Sequence, residues 1–204
     1  MTRRGVHGVV LFAVALAVAG CADPSGKVYR FDAQVPPAVQ PAEADKAYRA
    51  AVAQLKAGDY AAAQANLETA VRFDPQHGRA FNNLGWIYYR NGQLYRAAHA
   101  FNTATLLLPD HPDPVSNLGL TLAAAGMWDR AVELQTRALE MDPGNLGYQS
   151  RLAFAQVKRG DELASLSDLL EAVLTRTTRE DWARWAQNLL ARLRSSDPAA
   201  TSDL

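Results

Sequence analysis

The chain has 204 residues, 49% hydrophobic and 21% charged, the balance of a folded protein, which excludes wholesale disorder. Its 21 basic residues cancel its 21 acidic ones, and no basic stripe interleaves with aromatics, so a nucleic-acid footprint is excluded. Alanine is frequent and β-branched residues do not fall in alternating runs, so helices are predicted throughout.

The chain opens on a basic stretch, Arg3, Arg4 and His7, followed by an apolar run from Val9 to Ala19. At about 1.5 Å per residue this run makes about 16 Å of helix, roughly half the hydrocarbon thickness, so it suits a signal peptide and not a membrane span. It ends in Val18-Ala19-Gly20-Cys21, which resembles the bacterial lipobox. That resemblance implies a lipoprotein signal peptide over 1–20 and a Cys21 carrying a diacylglycerol thioether and an acylated amine, enough acyl chains for stable anchoring. An ordinary signal peptide with a chance cysteine is the alternative. Ala22 stands where the enterobacterial pattern puts aspartate for inner-membrane retention, with Asp23 one place later. The implied location is therefore the outer membrane, facing the periplasm. Cys21 is the only cysteine, which excludes an intrachain disulfide and a multi-cysteine metal site. Removing Arg3 and Arg4 from the 21 basic residues leaves 19 against 21 acidic.

Residues 21–42 are predicted to be a tether, because Pro24, Pro36, Pro37 and Pro41 remove donors and block helix. Partly extended, it would reach on the order of 50 Å from the bilayer.

Pro75, Pro109 and Pro143 then stand 34 residues apart. In the same register fall Gly58, Gly92 and Gly126; Ala63, Ala97 and Ala131; Ala70, Ala104 and Ala138; and the pairs Leu84-Gly85 and Leu118-Gly119. This period and these residues resemble the tetratricopeptide repeat (TPR) family. The best match is 78–111, with Phe81, Leu84, Gly85, Tyr88, Gly92, Ala97, Phe101, Ala104 and Pro109. Unit 44–77 has Ala50-Ala51 in place of Leu-Gly, and unit 112–145 has Leu122 and Gln135 at the tyrosine and phenylalanine places. A degenerate fourth unit, 146–178, lacks the terminal proline.

The glycines suit left-handed caps at the end of each first helix, and the prolines close each second helix. Stacked units leave one apolar face open at the end of the array. A helix over 179–194 is predicted to cover it with Trp182, Trp185, Ala186, Leu189, Leu190 and Leu193, making both tryptophans core. The folded domain is thus 43–194, followed by a disordered tail, 195–204. The implied fold is an all-α right-handed superhelix of about nine helices.

Residues for chemistry are scarce. His77 and His111 share one repeat place, which Asn145 takes in the next unit; capping explains the series better than metal binding. His99 lies within a second helix with no predicted partner. Asp161 and Glu162 are read as starting a helix and complementing its dipole. No nucleophile elbow, phosphate loop or dinucleotide glycine pattern is present. The reading is therefore not an enzyme, with no metal, no small-molecule substrate and no cofactor besides the lipid on Cys21.

In the TPR family the first helices of each unit line a concave groove. Carried over by register, the groove residues are Tyr48, Arg49, Val52 and Lys56; Arg79, Asn82, Asn83, Trp86, Tyr89 and Arg90; Asn117 and Leu120; and Arg151, Phe154 and Lys158. Asparagine amides can bond a ligand backbone, Trp86 and Tyr89 offer rigid apolar area, and arginines pair carboxylates, so an extended or acidic segment of a protein is the implied partner. The plainer alternative is that the arginines and lysines only solvate this surface. The carboxylate clamp of chaperone-binding members is incomplete: Asn83 or Asn117 and Arg151 match, but the lysine places hold Tyr48, Asn82, Asp113 or Gly147. Lipoproteins of this organisation resemble type IV or tight-adherence pilus assembly factors, which act like pilotins on a secretin or pilus component, and scaffolds of other envelope complexes.

Overall fold

The computed structural model describes residues 39–196, apart from the side chains of Leu163, Leu193, Ser195 and Ser196. The signal peptide, Cys21, the tether as far as residue 38 and the tail from residue 197 lie outside the described residues.

The described residues form nine α-helices, one 3-10 turn and no strand. Helices α1 (Pro41–Ala57) and α2 (Tyr60–Phe73) make the first pair, and α3 (Gly78–Arg90) and α4 (Leu94–Leu107) the second. The third is α5 (Pro112–Ala124) with α6 (Trp128–Met141), and the fourth α7 (Leu146–Arg159) with α8 (Ser167–Arg176). Helix α9 (Glu180–Ser196) follows alone. The fold is the all-α array of helix pairs that the 34-residue period predicts.

The turn inside each pair is built the same way. Gly58, Gly92, Gly126 and Gly160 have φ of 80°, 71°, 79° and 99°, a left-handed region costly to side chains with a Cβ. The next N–H reaches back to the carbonyl five residues earlier: Asp59 to Gln54, Gln93 to Tyr88, Met127 to Leu122 and Asp161 to Gln156. These bonds satisfy carbonyls that the helix end would leave without partners. The degenerate fourth unit therefore keeps the turn although its second helix is short.

Three local expectations need correction. Pro41, read as part of the tether, is instead the first residue of α1. A missing N–H costs nothing in the first helical turn, and the fixed φ suits it. Asp161 and Glu162 do not start an α-helix. Asp161 takes a two-pronged bond from Arg159 (2.6 Å each), and Glu162 precedes the 3-10 turn Leu163–Leu166. Helix α9 runs to Ser196, two residues into the expected tail.

Packing follows the small residues. A Cβ on Gly85 would meet the Phe101 ring at 2.8 Å, so α3 and α4 close only because Gly85 has none. The equivalent pair one unit on is Gly119 and Gln135, where a Cβ would meet Gln135 Nε2 at 2.8 Å. Gln135 is fully buried where Phe101 stands in the unit before, and it is satisfied there: its Nε2 donates to the Ser116 carbonyl and its Oε1 accepts from Ser116 Oγ, both at 2.7 Å. Leu67, Ile87 and Phe101 anchor one core cluster; Leu170, Val173 and Leu190 belong to another, between α7, α8 and α9.

Candidate peptide-binding groove

Helices α3, α5 and α7 occupy equivalent places in successive units, and their polar side chains form a ladder. Asn117 Nδ2 donates to Asn82 Oδ1 at 3.2 Å. Arg151 Nη1 donates to Asn117 Oδ1 at 3.3 Å and to Ser116 Oγ at 2.8 Å. Through Ser116 the ladder connects to the buried Gln135 amide. Arg151 thus sits half-buried on neutral partners, and burial lowers its pKa from the usual guanidinium value, partly offset by Tyr148 and Asp113 nearby. Tyr148 donates its hydroxyl to Asp113, and burial followed by that bond pushes its pKa well above the ordinary phenol value.

Beside the first rungs lies a cavity of about 300 Å³ lined by Leu55, Asn82, Asn83, Trp86 and Asn117. Trp86 is 37% exposed, one of the few large apolar side chains open to solvent among the described residues. Its ring stands 5.5 Å from that of Tyr60, and the Arg90 guanidinium lies over both, 3.8 Å from the Tyr60 centroid and 5.2 Å from that of Trp86. The carried-over residues Asn82, Asn83, Trp86 and Asn117 therefore line one cavity, with rigid apolar area and amides, and Arg90 is held against the Trp86 ring.

The other carried-over residues lie elsewhere. Arg49 and Arg79 line a separate depression with Asp45, Tyr48 and His77. His77 Nδ1 accepts from the Ala80 N–H at 3.2 Å, so its proton sits on Nε2, which faces Asp45 Oδ1 at 3.3 Å. Asn145 caps α7 in the same way, accepting from the Tyr148 N–H, whereas the His111 side chain makes no cap bond to α5. Tyr89 is half-buried against the first core cluster. Phe154 is held by rings: Trp128 at 6.4 Å, Trp182 at 6.1 Å and Trp185 at 6.0 Å, with Lys158 5.7 Å from its centroid.

Trp86 and Phe154 are nonetheless equivalent. Tyr60 and Trp128 each open the second helix of a unit, and each meets the ring 26 residues later. The difference is that α9 lays two tryptophans on Phe154 and leaves Trp86 open. Sequence reasoning missed Leu55, Tyr60 and Ser116 as parts of the site. The available signal was the large residue at the first place of each second helix, Tyr60, Leu94 and Trp128, in the 34-residue register.

Stacked helix pairs with such an inner surface define a helical repeat protein. Residues 48–112 and 88–146 match the tetratricopeptide repeat family model, and the chain belongs to that family. It is 28% identical over 114 residues to the photosystem I assembly protein Ycf3 of Synechococcus sp. (strain WH7803). That match covers 48% of this chain and 66% of the relative, just under two thirds of its length. Among solved structures, it is similar to the first TPR of Spaghetti (RPAP3) bound to the HSP90 peptide SRMEEVD: 20% identical, TM-score 0.58, covering 60% of this chain and 98% of that one. It is also similar to YrrB, described as a TPR protein with an unusual peptide-binding site: 16% identical, TM-score 0.64, covering 77% and 80%. These two likenesses are ones of fold. Among the described residues no group of three His, Cys, Asp or Glu converges as a metal site would require.

Proposed function

We propose that the protein is a non-catalytic assembly adaptor that holds an extended segment of a partner protein against the cavity around Trp86. The observation carrying this reading is the open Trp86 face beside the Asn83 amide, with Arg90 held above Tyr60 at the rim. Rigid aromatics at the centre of a depression are the residues that most often dominate binding energy, and amides can pair the main chain of any extended segment. The Ycf3 relatives are photosystem I assembly proteins, and of the two structural neighbours one is bound to a peptide and the other has a peptide-binding site. We further propose that Cys21 is lipidated and holds the module at the periplasmic face of the outer membrane, the reading that the lipobox and Ala22 support.

Co-purification from native membranes, followed by affinity measurement on the isolated partner, tests the adaptor role. Trp86→Ala is expected to cost about 2 kcal/mol or more of affinity with little change in melting temperature. A variant that unfolds, while its folded fraction binds as before, would put Trp86 in the core and the partner elsewhere. Mass spectrometry tests the anchor: the mature chain should begin at acylated Cys21, and Cys21→Ala should remain uncleaved. Cleavage elsewhere with a free thiol sinks it.

A further inference from the structure

At the other end of the inner surface, α9 does more than cover the last repeat. A cavity of about 240 Å³, mostly apolar, opens between α5, α7 and the start of α9, walled by Leu120, Ala123, Phe154 and Trp182. A second, more polar cavity of about 210 Å³ lies against Leu146, Gly147, Ser150, Thr177 and Thr178. Arg151, Arg179 and Trp182 line both, so the two are opposite sides of one wall.

The charges on that wall are unbalanced. Arg179 gives Nε and Nη2 to Asp181, at 3.2 Å and 2.6 Å, which leaves Nη1. Arg151 makes its bonds to neutral Ser116 and Asn117, and among the described residues no carboxylate lies within ion-pair distance of it. Asp113 acts on it through space while taking the Tyr148 hydroxyl. A guanidinium drawn out of water without a carboxylate is costly unless an anion completes it.

We propose that this wall is a second binding subsite, which takes an acidic side chain followed by an apolar one within an extended segment of a partner. The carboxylate would bridge the free guanidinium edges of Arg151 and Arg179. The apolar side chain would enter the cavity under Leu120 and Phe154. Because there is space on both sides of the arginines, the segment passes over the wall, its backbone continuing along Gly147, Ser150 and Thr177. Arg179 and Trp182 lie outside the 34-residue repeats, so the subsite is completed by the entry to α9 and is not made by the repeat residues Leu120, Arg151 and Phe154 alone. It stands on its own geometry, whatever fills the cavity at Trp86.

The test titrates the blocked peptide acetyl-Gly-Ser-Glu-Leu-Ser-Gly-amide into the full chain in detergent and follows the tryptophan indole resonances by NMR. The Trp182 resonance should move and saturate while that of Trp86 stays. Analogues with Gln for Glu, or Gly for Leu, should bind at least ten-fold more weakly. Arg151→Gln should lose as much, but it also cuts the ladder, so the exposed change Arg179→Gln and the cavity-filling Leu120→Trp serve with it, with folding checked by circular dichroism. Each is expected to weaken binding at least ten-fold, whereas Trp86→Ala should leave it unchanged. Equal affinity of the Gln and Glu peptides, a shift at Trp86 instead, or binding indifferent to both Arg179→Gln and Leu120→Trp would overturn the proposal. Tighter binding of the free acid acetyl-Gly-Ser-Ser-Leu, or of decanoate, would also overturn it, in favour of a chain-terminus or lipid-acid site.

Discussion

Arg90 holds its guanidinium carbon 3.8 Å from the centroid of the Tyr60 ring, across the boundary between the first two repeats. The contact keeps a cation beside Trp86, and among the described residues no carboxylate lies within ion-pair distance of it. Cation–π contacts at exposed sites contribute about 0.5–1 kcal/mol, so this one orders the rim more than it stabilises the fold. Tyr60→Ala is accordingly expected to leave the melting temperature nearly unchanged while weakening partner binding several-fold. Tyr60→Phe, which keeps the ring, should bind as the wild type does. Surface plasmon resonance on the three proteins decides it, and equal loss in Phe and Ala variants would mean that the hydroxyl matters and not the ring.

Gly85→Ala should destabilise the second repeat despite replacing glycine with the best helix former. The new methyl would sit 2.8 Å from Cδ1 of the buried Phe101 ring. Overpacking typically costs about 1–3 kcal/mol, set against about 1 kcal/mol of regained helix propensity. A urea titration should show a lower midpoint, restored in part by Gly85→Ala with Phe101→Leu, which opens space at the clash. No loss in the single variant would show that α3 and α4 can separate freely.

Much of this fold was legible because its signals are local. A left-handed turn asks for glycine at Gly58, Gly92 and Gly126 whatever the rest of the chain does, and Pro75, Pro109 and Pro143 each stand two places past the end of a second helix, which they keep from continuing. Pro41 misled because the same ring that blocks a helix interior starts one well. The Trp86 cavity was half legible: register alone brought Asn82, Asn83, Trp86 and Asn117 together. Tyr60 was not found, because its contact depends on how one repeat is offset against the next. Phe154 stands in register with Trp86, but its solvent face is set by α9, which has no register with the repeats. The same holds for Arg179 beside Arg151, a pairing that only tertiary structure creates.

Stability should fall at alkaline pH through two tyrosines. Burial, and then the bond to Asp113, raise the pKa of Tyr148; burial, and then Glu68, raise that of Tyr88. A raised folded pKa means the folded state holds the proton more tightly. Its contribution is therefore complete below the ordinary phenol value of about 10 and is lost as the pH climbs toward the folded values. Urea midpoints should be level from neutral pH to about 9 and then decline. Tyr148→Phe, less stable at neutral pH for want of the Asp113 bond, should decline less steeply. A slope unchanged in both Tyr148→Phe and Tyr88→Phe would assign alkaline unfolding to other groups.

Removal of the last helix separates its two roles. A chain stopped after Glu180 loses Trp182, Trp185, Ala186, Leu189 and Leu190, which cover Ala153, Leu166, Leu170 and Val173. Exposing a few hundred Å² of that surface at about 25 cal/mol per Å² removes several kcal/mol, a large share of the stability of a domain this size. The truncated protein is expected to melt far lower or to aggregate. Leu190→Ala is the milder variant, with a buried side chain and an expected loss of about 2–5 kcal/mol. It leaves Arg179 and Trp182 in place, so its folded fraction should bind the Glu-Leu peptide as the wild type does. Calorimetry and the peptide titration together discriminate the roles. If the truncated chain melts like the whole one, α9 is not a cap, and its tryptophans serve the inner surface alone.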